Sequence, residues 1–376
     1  MKIRIACCLS LMMMIGAIAA AQCNTGRPSA AAAINWPQYQ FDTCRTGYNP
    51  YEFVLSPTTV GNLTLKWTAG ASPASAVSIV NGLLYLGAGD GTVQALNART
   101  GALVWQYNTG NDIYPSPTVA NGIVYVASGY KLHALDAKTG AFLWKYTTTF
   151  YLSSPTVSYG LVYVGSYDFN LYALDATTGA LRWKYTTGGE VSAAAVANGA
   201  AYVGSNDHSL YALDAVNGTL RWKYTTGGGV TSPALAYGLV YAGSSDGYLY
   251  AIDTDYGGLY WKYTSGGQYN SYAPATVANG FVYVGAQSPM GVYALNAFNG
   301  SLAWKHDIDA FYAESPVIAN GVVYAAGEDD HFYALDAYTG ALYWTNQGIT
   351  SPIVVNGMLY VATPYNGVAA YGLPNH

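Results

Sequence analysis

The chain has 376 residues, of which only 9% are charged, with 43 Gly, 37 Tyr and a formal net charge of −5. Its 15 Lys and Arg form no cluster, so there is no basic patch of the kind nucleic acid or anionic lipid needs. The length suits one large all-β unit as well as two average domains, and hydrophobic residues, 51% of the total, fall in short runs that suit many short strands.

Along the chain, the first feature is a targeting segment. Lys2 and Arg4 precede the apolar run Ile5 to Ala20, and Ala19 to Ala21 offers a cleavage site before Gln22. Residues 1–21 therefore read as an export signal, which implies a periplasmic or extracellular protein. The run is short for a membrane-spanning helix, and no other stretch approaches the needed length. Cys23 stands where a lipoprotein cysteine would, but Gln22 replaces the small residue such a signal uses, so a lipid anchor is not expected. Cys7 and Cys8 leave with the signal. Cys23 and Cys44 then remain, free to form a disulfide in an oxidising compartment or to stay as two thiols. Residues 22–60 form an N-terminal extension.

From residue 61 to 373 the chain repeats. After Trp36 the tryptophans are 67, 105, 144, 183, 222, 261, 304 and 344, a period near 39 residues. Each copy reads as four strands. Strand A is an S-P-x-V segment. An Asn-Gly pair follows, as at Asn121-Gly122 and Asn198-Gly199, and favours a hairpin turn with positive φ at both residues. Strand B is a V-Y-V-G run centred on Tyr85, Tyr125, Tyr163 and their equivalents. A polar turn with Asp leads to strand C, and a D-A-x-T-G turn leads to the Trp-bearing strand D. Four short strands per 40 residues are propeller blades. The last copy, Ser351 to Leu373, lacks strand D, and the orphan segment Leu63 to Trp67 supplies it. The expected fold is an all-β, eight-bladed β-propeller of four-stranded antiparallel blades, closed by an N-terminal strand that completes the last blade.

The core A-L-D-x-x-T-G-x-x-x-W, at Ala134 to Trp144, Ala173 to Trp183 and Ala334 to Trp344, resembles the PQQ-like repeat of the quinoprotein alcohol dehydrogenases. The opening segment Asn35 to Pro50 is also similar to the start of such proteins. The resemblance implies either a dehydrogenase, with PQQ and calcium as cofactors, or one of the non-enzymatic scaffold propellers built on the same repeat, such as the lipoprotein of the outer-membrane assembly machine. Dehydrogenases of this type carry a vicinal cysteine pair, a calcium site and long insertions. Here the vicinal cysteines lie in the signal segment and the connections are short, so the resemblance is closer to the scaffolds, and no cofactor is expected.

Candidate sites follow from the loops. Asp90, Asp168, Asp207, Asp246 and Asp329 recur at the B–C turn, where Asp caps backbone N–H groups. The five His show no metal-ligand spacing. The D–A connections emerge on the same face and gather aromatics with a few acids: Tyr114, Tyr151, Glu190, Tyr269, Tyr272, Tyr312 and Glu314. Around an axial funnel these could grip a peptide or a sugar. No catalytic or metal-binding residues are assigned. The expectation is an exported, monomeric, non-catalytic propeller with a protein or glycan partner on one face; a quinone-dependent oxidoreductase using the axial funnel and a glycan-binding propeller are the alternatives.

Overall fold

The structure, a computed structural model, describes residues 35–70, 77–266, 273–308, 315–327, 331–347, 352–362 and 367–374. Eight sheets form the blades of a propeller, each with four antiparallel strands in the order A-B-C-D from the axis outward. Blade 3 is representative: A is Thr156–Ser158, B is Leu161–Gly165, C is Asn170–Asp175 and D is Leu181–Thr186. The eighth blade takes strands A, B and C from Ile353–Val355, Met358–Ala362 and Val368–Gly372, and its strand D from Thr64–Ala69 near the N-terminus. Thr64 faces Gly372 and Ala69 faces Val368 in that pairing, so the expected closure is present.

Why the blades stack follows from one cross-strand row. In blade 3, Tyr163, Ala173 and Trp183 sit side by side on strands B, C and D. The small Ala leaves room for the flanking rings to lean together, with centroids 5.9 Å apart. Such a contact adds about 0.5–1.5 kcal/mol beyond burial. Both rings then donate to a single carbonyl of the next blade: Tyr163 Oη and Trp183 Nε1 lie 2.9 and 3.1 Å from the Ala215 oxygen. The same rivet joins blade 8 to blade 1, where Tyr360 and Trp67 meet Ala98. The turn carrying that carbonyl must be closely approached by the ring. A Cβ on Gly179, at φ +73°, would lie 2.5 Å from the Trp144 ring of the preceding blade. The glycine of the D-A-x-T-G turn thus serves both backbone handedness and blade spacing.

The A–B hairpins take the expected left-handed pair, with Asn121 at φ 51° and Gly122 at φ 79°. Blades 3 and 5 use Tyr159 and Tyr237 instead of Asn in this strained position. Each of these tyrosines accepts the N–H of a glycine in the next blade, Gly199 or Gly280, with its hydroxyl.

The N-terminal extension is part of the hub. Trp36 exchanges two backbone hydrogen bonds with Ile79 of blade 1, and Pro37 O accepts from Val119 of blade 2. Thr43, Cys44, Thr46 and Gly47 then present carbonyls to Val196, Leu235, Val277 and Ile318 of blades 4 to 7. Arg45 bonds to Thr156 of blade 3, and Asn49 to Val354 of blade 8. Tyr48–Asn49 even adds a short parallel strand to the inner edge of blade 7. A single segment of fourteen residues therefore touches the innermost strand of all eight blades. Those inner edges would otherwise present unpaired N–H groups to the axis.

Candidate functional site

The plug makes the axial opening blind. Above it, on the face formed by the B–C turns and D–A connections, lies a funnel of about 780 Å³. Tyr39 of the plug lines it from within, and its wall includes Tyr114, Tyr151, Tyr167, Asp112 and Glu190. The funnel is offset, spanning the connections between blades 1 and 6. Of the seven expected residues, Tyr114, Tyr151 and Glu190 are brought to this one cavity; Tyr269, Tyr272, Tyr312 and Glu314 lie outside the described residues. Tyr39, Tyr167 and Asn206 were not expected there. Tyr167 and Asn206 sit one residue before the recurrent turn Asp, a signal that could have pointed to them.

The rim is a run of tyrosines in edge contact. Tyr130 and Tyr151 have centroids 6.2 Å apart, and Tyr151 and Tyr167 6.4 Å, both T-shaped. About half or more of Tyr114 and Tyr151 is exposed, so ring faces remain open to a ligand. The two acids are held separately. Tyr114 Oη donates to Asp112 Oδ2 at 3.2 Å, and Asn206 Nδ2 donates to Glu190 Oε2 at 2.7 Å. Neither carboxylate has a cation partner among the described residues.

The recurrent turn aspartates have a structural role. Asp207 receives the Tyr211 hydroxyl from its own strand C and the Gly188 N–H from the D–A connection before it, with Lys223 3.8 Å away. Asp246 does the same with Tyr250 and the Gly227 N–H, and Asp168 with Tyr172 and Thr149. Each latches a loop to its blade. Asp329 lies outside the described residues. Three of the lysines that follow a Trp, Lys223, Lys262 and Lys305, lie over the rings of Tyr211, Tyr248 and Tyr293, at 4.2–5.4 Å.

Beneath the funnel the hub is polar and closed. Arg45 is buried; its Nε donates to Ala194 O at 2.7 Å, and its Nη2 to Thr156 Oγ1 at 3.0 Å. Burial lowers its pKa to about 10. Tyr39 covers the guanidinium, with the ring centroid 5.3 Å from Cζ. Burial raises Asp42 to about 6, against hydrogen bonds from Thr46 that favour the anion. Cys44 is buried in the hub and disulfide-bonded; Cys23 lies outside the described residues.

A quinone with calcium requires several oxygen donors around one cation at about 2.3–2.6 Å. Among the described residues no group of three or more His, Cys, Asp or Glu could hold a metal ion. The funnel's two acids are held by different neighbours, and no third Asp or Glu joins them among the described lining residues, so the carboxylates there are fewer than such a cation usually gathers. Among the described residues no helix is long and apolar enough to cross a membrane.

Comparison with known proteins agrees with the repeat. A family profile described as outer membrane protein assembly factor BamB matches residues 62–155, 89–193, 186–276 and 270–373. A polyvinylalcohol dehydrogenase of Sphingopyxis sp. is 31% identical over 101 residues, 23% of this chain and 15% of that one. The chain spans a quarter or less of the length of the curated relatives it matches. BamB from Moraxella catarrhalis superposes with a TM-score of 0.70 at 20% identity, covering 84% of this chain and 98% of that one. The quinohemoprotein alcohol dehydrogenase of Comamonas testosteroni does so with 0.74 at 17% identity, covering 95% and 84%. Both likenesses show the propeller fold.

Proposed function

Because the chain belongs to the β-propeller family described as outer membrane protein assembly factor BamB, we propose that it is an exported, non-catalytic scaffold that holds a partner protein against its funnel face. The observation that carries this reading is the blind funnel itself: a recess of about 780 Å³ with an open tyrosine rim and two separately held acids. Such a recess supplies stacking area and a few orienting polar groups, which is the make-up of a recognition pocket. Export rests on residues 1–21.

A quinone-dependent oxidoreductase is the second reading, favoured by the match to polyvinylalcohol dehydrogenase. The donor set described above argues against it. Two measurements separate the readings. A photo-cross-linking amino acid at position 151, on the funnel, is expected to capture one discrete protein in the native envelope, and the same probe at 256, on the opposite face, none. Purified protein mixed with PQQ and calcium is expected to lose all quinone absorbance on desalting. Retained quinone with dye reduction by alcohols would overturn the scaffold reading.

A further inference from the structure

We propose that the funnel takes a cationic segment of its partner: a Lys or Arg side chain of an extended peptide, inserted between the tyrosines with its charge against Glu190 and Asp112. The inference rests on the scaffold reading and adds the chemistry of what is held.

Shape is the first argument. Tyr39 and the plug close the floor, so a strand cannot thread the axis and only a protruding group can enter. A recess of this volume is the size of a small-ligand pocket and takes a few side chains of an extended segment, far less than a domain. The wall is the second. Open ring faces of Tyr114, Tyr151 and Tyr167 attract a cation placed within about 6 Å of a centroid. The same chemistry already operates in this fold, where lysines lie over Tyr211, Tyr248 and Tyr293.

Charge is the third. The described B–C turns and D–A connections contain seven carboxylates and no Lys or Arg. Five of the seven are committed: Asp307 to Lys305, Asp207 to Lys223 and Tyr211, and Asp90, Asp168 and Asp246 to turn and loop hydrogen bonds. The other two, Asp112 and Glu190, accept one side-chain hydrogen bond each, from Tyr114 and Asn206, have no cation beside them among the described residues, and line the funnel. The opposite face carries Arg99 and Lys138 at its turn tips, whereas the cations nearest the funnel-side loops stand on strands: Lys131 directly after the Gly129-Tyr130 turn, and Lys223 and Lys305 beside Asp207 and Asp307. Arg45 does not cancel the charge of the two acids. It is buried beneath the lining rather than part of it, with Nε and Nη2 donating to Ala194, Ser154 and Thr156 and the Tyr39 ring 5.3 Å from Cζ. A field of one sign in a concave, low-dielectric site concentrates the opposite charge.

The test uses the full exported chain and a fluorescein-labelled octapeptide of glycine and serine with two central arginines, read by anisotropy. Binding is expected to fall at least tenfold with Glu190→Gln combined with Asp112→Asn, to weaken with Tyr151→Ser, and to weaken with salt. Asp255→Asn, on the opposite face, is expected to change nothing. Equal binding by a glutamate-for-arginine peptide or by maltoheptaose, or indifference to the E190Q/D112N pair, would overturn the inference. Should the peptide fail to bind while the cross-link from position 151 persists, the cationic ligand falls and the scaffold stands. Loss of that cross-link as well removes both.

Discussion

At the scale of single residues, His133 shows how one column of the repeat can go wrong. Blades 3, 4 and 5 place tyrosine at this strand C position, each donating to its turn Asp. In blade 2 the turn is Gly129-Tyr130, without Asp, and both ring nitrogens of His133 lack a partner at 3% exposure. Burial, with Lys131 and Lys145 adding to it, lowers its pKa to about 4. The unfolded chain takes this proton near pH 6.5 and the folded chain near 4, so the stability associated with a neutral His133 is complete above about 6.5 and drains away as pH falls toward 4. Asp42 runs the other way: its raised pKa of about 6 makes its contribution fade as pH rises from 3.8 to 6. The diagnostic quantity is therefore a difference. Between pH 7 and 4.5, wild type is expected to lose about 2 kcal/mol relative to His133→Phe in urea unfolding, screening considered; a constant gap would show that the imidazole does not titrate this way. The recurrent Tyr, Trp and turn Gly were legible in the sequence because each repeats with the period. His133 was legible in principle, as a break in two columns at once, but its meaning needed the register that places strand C under the B–C turn.

At the scale of elements, the plug is the unexpected part. Residues 35–50 have no period and no internal strand pattern, so sequence reasoning could define an extension without saying where it docks. The reason is physical. Each of its contacts goes to a different blade, and most use backbone atoms, which leave no trace in side-chain identity. Gly47 is an exception. It sits at φ +64°, and a Cβ there would fall 2.3 Å from Thr276 Oγ1 of blade 6. Gly82, at φ +76° in an A–B turn, has nothing within 4 Å of that position. Both Gly→Ala changes impose left-handed strain of about 1 kcal/mol; only Gly47→Ala also drives the plug from its seat. It is expected to cost more than about 2 kcal/mol in equilibrium unfolding against about 1 for Gly82→Ala. Equal costs would mean that the plug is loosely held.

At the scale of the whole molecule, closure leaves a visible seam. Every junction but one has the Tyr–Trp rivet on a carbonyl of the next C–D turn. Blade 8 has no such turn, because its strand C ends the repeat and its strand D comes from Thr64–Ala69. Tyr324 of blade 7 is accordingly buried with no partner for its hydroxyl. Trp344, Phe332 and Tyr371 fill the gap instead, with centroids 4.9–5.9 Å apart. Removing a hydroxyl that is hydrogen-bonded costs about 1 kcal/mol, whereas removing a buried unpaired one costs nothing or stabilises. Tyr163→Phe is thus expected to lower the urea midpoint and Tyr324→Phe to leave it unchanged or raise it. A loss at Tyr324 equal to that at Tyr163 would place a partner at the seam. Ring closure could be read from the sequence because a missing strand and a spare one announced each other. The funnel could be read only in part: its loops are the irregular stretches between strict repeats, and three of the seven named residues share the cavity.

The first described residue carries a consequence for orientation. Asn35 accepts the Asn81 N–H through its side chain, at a hairpin on the back of the wheel, opposite the funnel. Residue 35 is thereby fixed on the face turned away from the mouth. A fluorophore carried by a cysteine at residue 35 should therefore be quenched less by a group seated among the rim tyrosines than one carried at residue 168.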